Sequence, residues 1–197
     1  MKIKISILVL FVFNFIYTQE KKIIEIIQAG SFDRNEKTNP GANILKKNDK
    51  IRVHLLHDGM NIYSDYALFF KKNNSFKAYG NVILEQGDSI KLYSNNLDYD
   101  GNDRKVIAKG DVDFYNNKTN LKTNLLYHDR NAKEFFFEEG GIIKDSVTTI
   151  KSIEGKYFLE NSKYNFKKDV EINNPEYYIQ SNNLDYFTKT EHAFFFG

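Results

Sequence analysis

The chain has 197 residues, 28 basic and 26 acidic, with 15% aromatics that are all Tyr and Phe. That length holds one or two domains with a real core, and only two prolines exclude a collagen-like or proline-rich disordered chain. With no cysteine, disulfides, thiolate metal sites and cysteine nucleophiles are excluded.

The N-terminus opens with Lys2 and Lys4, runs apolar from Ile5 to Ile16, and turns polar at Thr18 and Gln19. This is the layout of a secretory signal peptide, too short for a comfortable membrane span. Residues 1–18 are assigned to it and 19–197 to a single domain. Cleavage removes two lysines and no acids, so the mature balance is 28 − 2 = 26 basic against 26 acidic. No basic field is left to attract nucleic acid.

The segment KKIIEIIQ, 21–28, suits a short helix or, by the alternation of Ile24 and Ile26, an edge strand. Residues 30–43 are polar and turn-rich and read as a loop. From there the chain repeats itself. An apolar residue followed two places on by Ser or Thr recurs at Ile62/Ser64, Leu92/Ser94, Leu121/Thr123, Ile150/Ser152 and Ile179/Ser181, at spacings of 30, 29, 29 and 29. A second track runs Gly80-Asn-Val, Gly110-Asp-Val, Gly140-Gly-Ile, Lys168-Asp-Val and a final Gly197, at spacings of 30, 30, 28 and 29. A degenerate upstream copy falls at Asn48-Asp49-Lys50-Ile51. Two tracks with one period identify a structural repeat.

Within residues 88–117, Ile90, Leu92 and Ser94 alternate with polar neighbours, the phase shifts at Asn95-Asn96, and it resumes at Leu97 and Tyr99. Asp100-Gly101 and Asn116-Asn117 are turn signals. Each unit is therefore two strands, apolar on one face, with a bulge at the Asn pair. Five or six units give about eleven or twelve strands that bury their apolar faces only by stacking.

The interior face predicted by this alternation is Val82, Leu84, Ile90, Leu92, Leu97, Tyr99, Val106, Ala108, Val112, Phe114, Leu121, Leu126, Phe135, Phe137, Val170, Ile172, Ile179 and Leu184. The middle residues of the two Phe triplets, Phe136 and Phe195, are expected to face outward. DYDGND, 98–103, lacks the glycine and glutamate positions of a calcium loop and reads as a hairpin turn. His54 and His57, three apart on a strand, fall on opposite faces and share no metal. No catalytic motif is present, so neither a cofactor nor a metal is expected.

The stretches PGANILKKNDKIRV, FKAYGNVILEQGDSIKLYSNNLDYD, AKGDVDFYNNKTNLKTNLLYHDRNAKEFFFEEGG and IQSNNLDYFTKTEHAFFFG together resemble the OstA/LptA family over about residues 20–197. The resemblance implies an all-β fold, a twisted antiparallel jelly roll with an open, V-shaped apolar interior. It implies a periplasmic protein, associated with the outer membrane, that carries lipopolysaccharide with its lipid A acyl chains between the sheets. It also implies joining to its own copies, or to other lipopolysaccharide-transport proteins, by edge-strand addition. The alternative from another class is an exported β-repeat protein that binds a surface polysaccharide or a protein partner. The Gly track expects a further strand after Gly197, where the chain stops.

Overall fold

A computed structural model describes residues 22–190 and 192–196. The expected signal peptide and the terminal Gly197 lie outside the described residues. The elements are β1 (Glu25–Gln28), β2 (Ser31–Arg34), β3 (Asn43–Lys46), β4 (Val53–His57), β5 (Met60–Ser64), β6 (Tyr66–Phe70), β7 (Ser75–Gln86), β8 (Ile90–Asp100) and β9 (Lys105–Asn116). They continue with β10 (Thr119–Asp129), β11 (Glu134–Phe137), β12 (Gly141–Asp145), β13 (Thr148–Ser152), β14 (Glu154–Phe158), β15 (Lys163–Asn174), β16 (Tyr177–Phe187) and β17 (His192–Phe196). All pairings are antiparallel between strands that follow one another up and down the sheet.

Five pairs of short strands, β1–β2, β3–β4, β5–β6, β11–β12 and β13–β14, are single passes broken in the middle. The 17 strands are therefore 17 − 5 = 12 passes, in line with the two-per-repeat count. Every long strand bends where the short ones break. One half of each pass belongs to a first wall containing β1, β4, β5, β12 and β13. The other half belongs to a second wall containing β2, β3, β6, β11, β14 and β17. The walls fold face to face across this crease, so that Phe114 of the first meets Phe135 of the second at 4.3 Å between ring centroids.

The two sequence tracks are the two sides of the crease. In β7, β9 and β15, two consecutive residues are left-handed: Gly80-Asn81, Gly110-Asp111 and Lys168-Asp169. At Gly80 a side chain would press on Asp65 and at Gly110 on Asn95, at 3.1 and 2.9 Å, so glycine serves there for room as well as for its positive φ. In the intervening passes the bulge frees a carbonyl, and the track hydroxyl answers it. Ser94 Oγ donates to the Asn96 carbonyl at 3.0 Å, Thr123 to Leu125 at 3.3 Å, Ser152 to Glu154 at 2.9 Å and Ser181 to Asn183 at 2.8 Å. A buried carbonyl needs such a partner, which is why the track keeps Ser or Thr.

One open local reading is decided and another changes. KKIIEIIQ ends in an edge strand, β1. Residues 30–43 are not all loop, because Ser31–Arg34 forms β2. All four of its residues are exposed, which left no buried face for the alternation to reveal. The strand exists by pairing with β3. At the turn after β8, Asp100 Oδ1 accepts from the backbone amides of Asn102 and Asp103, as a hairpin turn requires.

An apolar cleft between two walls

The interior row of the second wall nearest its turns can be followed strand by strand. Phe76, Tyr99, Val106, His128, Phe135, Tyr157, Tyr164, Tyr186 and Ala193 stand directly opposite one another across successive strands. Facing this row are the turns of the first wall. How the two are joined differs between the ends of the molecule.

In the N-terminal half, the walls are tied together by a polar cluster. Asp58, in the β4–β5 turn of the first wall, pairs with Lys22 and with Arg104, and lies 3.7 Å from Arg130. Arg130 Nη1 donates to the Tyr99 hydroxyl at 2.9 Å and Nη2 to the Asp58 carbonyl at 2.9 Å. His57 Nδ1 is 2.6 Å from the same Tyr99 hydroxyl, and its Nε2 is 3.0 Å from the Lys22 carbonyl. Since a carbonyl only accepts, Nε2 carries the proton and Nδ1 accepts from Tyr99. The neutral imidazole thus completes a relay from Arg130 through Tyr99 and His57 to the backbone.

Burial holds His57 below the ordinary histidine range. The Lys22 hydrogen bond, helped by the charges of Arg104 and Arg130, holds the Asp58 carboxyl below its usual range, and burial raises Tyr99. Below this latch the interior is a filled core, with Leu45, Val53, Leu55, Met60, Ala67, Ala78 and Leu97 fully buried.

In the C-terminal half no such cluster joins the tips among the described residues, and a cleft of about 730 Å³ opens between them. Its rim is polar. Asn116, Asn117, Lys118 and Thr119 come from the β9–β10 turn, Asp145 to Thr148 from the β12–β13 turn, and Asn174 from the β15–β16 turn. Ser162, Thr188 and Lys189 face them from the second wall. Its floor and sides are Ile150, Tyr157, Ile172, Ile179, Leu184, Tyr186, Ala193 and Phe195. The floor runs directly into the core, where Ile150, Ile172 and Leu184 are buried members.

Of the interior face predicted from the alternation, all but Ile179 are buried and Ile179 packs partly buried against them. Only Ile172, Ile179 and Leu184 line the cleft. Val82, Leu84, Ile90, Leu92, Leu97, Tyr99, Val106, Val112, Phe114, Leu121, Leu126 and Val170 sit in filled core. The alternation missed Ile150, Tyr157, Tyr186, Ala193 and Phe195.

Phe136 faces outward as expected and stacks on Tyr127 at 4.7 Å. Phe195 does not. It stands opposite Leu184 and lines the cleft, because β17 places it two residues before its track glycine, the inward position that Ala78 and Ala108 hold before theirs. His54 lies on the outer face, stacked on Tyr63, whereas His57 is buried.

The fold defines a class: an antiparallel β-sheet creased lengthwise into two walls, with an apolar interior that opens at one end. A family model described as OstA-like protein matches residues 21–182, and the chain belongs to that family. A search of curated proteins found no match. Solved structures match, among them the crystal structure of LptH from Pseudomonas aeruginosa, described as the LptA-homologous periplasmic component of the conserved lipopolysaccharide transport device. It is 16% identical, over 68% of this chain and 80% of that one, with a TM-score of 0.30.

Proposed function

We propose that the chain is a periplasmic, non-catalytic carrier that holds lipopolysaccharide by its acyl chains and passes it toward the outer membrane. The observation that supports this most is the C-terminal cleft. A soluble domain ordinarily closes its core, yet here the apolar interior is continuous with an open space about the size of a small-molecule site. An acyl chain transferred from water gains about 0.8 kcal/mol per methylene, so such a space binds lipid without many polar contacts. Family membership makes lipopolysaccharide the first candidate.

The edges suit a bridge built from several units. β1 and β2 expose Ile27 and Phe32 at one end of the sheet, and β16 and β17 expose Tyr177, Tyr178, Phe194 and Phe196 at the other. An unpaired edge is a template for strand addition, by a second copy or by another lipopolysaccharide-transport protein.

Native mass spectrometry of the protein drawn gently from its own cell envelope tests the reading. Lipopolysaccharide should co-purify and be lost in Ile179→Asp and Phe195→Asp, both at partly exposed positions where the fold should survive. A folded protein that carries a glycan or a protein partner, and no lipid, would replace the carrier with the polysaccharide- or partner-binding alternative. Tyr93 and Tyr115, half-exposed and edge to face on the outer side of the first wall, favour that second reading.

A further inference from the structure

We infer that the mouth of the cleft recognises an anionic group at the head of an acyl chain, held between Lys118 of the first wall and Lys189 of the second. The inference rests on the acyl-lipid reading above and adds what kind of head that lipid carries and which side chains meet it.

The closed end of the molecule shows how an anion joins the two walls. There the β4–β5 turn is Asp58-Gly59, and the Asp58 carboxylate pairs with Arg104 from the second wall and with Lys22. The β9–β10 turn is built the same way two repeats later, but it reads Asn117-Lys118. Across the cleft from it, the β16–β17 turn brings Lys189 from the second wall. Two cations thus stand at this end where a carboxylate and its cations close the other. Like charges repel across the mouth instead of tying it.

Both lysines line the cleft and both are exposed. Among the described residues neither is in an ion pair, whereas Lys133 and Lys163, near other tips of the second wall, are paired with Glu160 and Asp185. One carboxylate lines the cleft, that of Asp145, and Ser146 Oγ lies 3.5 Å from it. The mouth therefore keeps a positive excess over an apolar floor. An amphiphile with its chain on that floor and a negative head matches both parts. A free anion matches only the rim, and a neutral head leaves the lysines unpaired. The bound anion would supply the tie between walls that Asp58 supplies at the closed end.

The test uses an alkyl phosphate and an alkyl maltoside with the same twelve-carbon chain, with inorganic phosphate as the headgroup alone. Binding of each to the protein is measured by titration calorimetry. The unmodified protein should prefer the alkyl phosphate by about threefold to tenfold, the range of two solvent-exposed ion pairs. The preference should shrink as salt is added. The double variant Lys118→Gln, Lys189→Gln should lose it by weakening the phosphate only, with maltoside binding unchanged because the floor is intact.

Equal affinity for the two amphiphiles in the unmodified protein overturns the anionic subsite and leaves the acyl-lipid reading standing. So does a preference that survives in the double variant. Inorganic phosphate binding as tightly as the alkyl phosphate would make the rim a site for a free anion and overturn the amphiphile. If the unmodified protein binds neither amphiphile, the subsite and the acyl-lipid reading fall together.

Discussion

Arg130 and Tyr99 are 31 residues apart in sequence, and Arg130 Nη1 lies 2.9 Å from the Tyr99 hydroxyl, both side chains buried. The same guanidinium reaches the Asp58 carbonyl, so one side chain from the second wall holds a turn of the first. The interior beneath it is filled, whereas the interior beyond the reach of this cluster is open. Closure of the mouth and filling of the core go together along the molecule.

Removing Arg130 should therefore loosen one end only. Its side chain is 2% exposed, and truncating one member of a buried ionic cluster costs about 3–5 kcal/mol. Arg130→Ala is expected at the lower end of that range, because Asp58 keeps Lys22 and Arg104. Denaturant titration gives the size. Hydrogen exchange gives the place: faster exchange at Ile24, whose amide is bonded to Asn74 Oδ1, and in β4, with β15 and β16 still protected. Uniform loss of protection would mean that the cluster is only one more part of a single cooperative core.

The pH dependence follows from two buried histidines. Burial depresses His128 to about 3 and also lowers His57, both from 6.5. A group whose folded pKa is depressed takes up its proton more readily when unfolded, so its stabilisation is present above about pH 6.5 and fades as pH falls. Protonating His57 would also place an N–H against the Tyr99 oxygen, which already accepts from Arg130, with Arg104 close by and the Lys22 carbonyl and Asp58 opposing. Between pH 6.5 and 5, stability should fall by up to about 1.4 kcal/mol per pH unit through His128, and His57 adds to the loss with the same sign. His128→Phe should flatten that slope, since its ring stacks on Phe135 at 3.7 Å and the replacement keeps the stack. Thermal melts across this window measure it. Below pH 5 the depressed carboxylates of Asp58, Asp65 and Asp185 add to the loss with the same sign.

At the crease, Gly110→Ala should destabilise by about 1–3 kcal/mol, because alanine must hold a left-handed φ of 75° and its methyl would sit 2.9 Å from Asn95 Nδ2. Ser94→Ala should cost about 1 kcal/mol by leaving the Asn96 carbonyl without its hydroxyl partner. If the crease is a local device, both changes should speed amide exchange on the strands flanking the bend in β8 and β9 before they affect β15 and β16.

How far the sequence shows this architecture depends on what repeats. The crease is legible because it recurs: Ser94, Thr123, Ser152 and Ser181 make the same bond at the same spacing. Facing is legible where the phase is counted from the glycine track. Ala78, Ala108 and Phe166 all lie two residues before a track position and are all fully buried. Counting Phe195 the same way would have placed it inward; counting from its triplet did not. The latch is hidden because its members come from three different hairpins, Asp58 from β4–β5, Tyr99 and Arg104 from β8–β9 and Arg130 from β10–β11, with no common spacing. The cleft is hidden for a different reason. The alternation that builds its floor is the same alternation that builds the filled core, and only the missing ties between opposing tips tell them apart.

Assembly should run through the two ends of the sheet. At one end Ile27 and Phe32 are 46% and 59% exposed, and at the other Tyr178 and Phe196 are 58% and 53% exposed. An apolar side chain left in water on an edge strand favours addition of another strand, and a charge there opposes it. Sedimentation should show concentration-dependent association that Ile27→Asp and Tyr178→Asp each weaken. A chain with Ile27→Asp should still join a chain with Tyr178→Asp once, because one intact edge of each kind remains. Mixing the two variants should thus give dimers that neither forms alone. If association instead used a single face on both copies, one variant alone would abolish it, the mixture would rescue nothing, and the two ends would have no distinct roles.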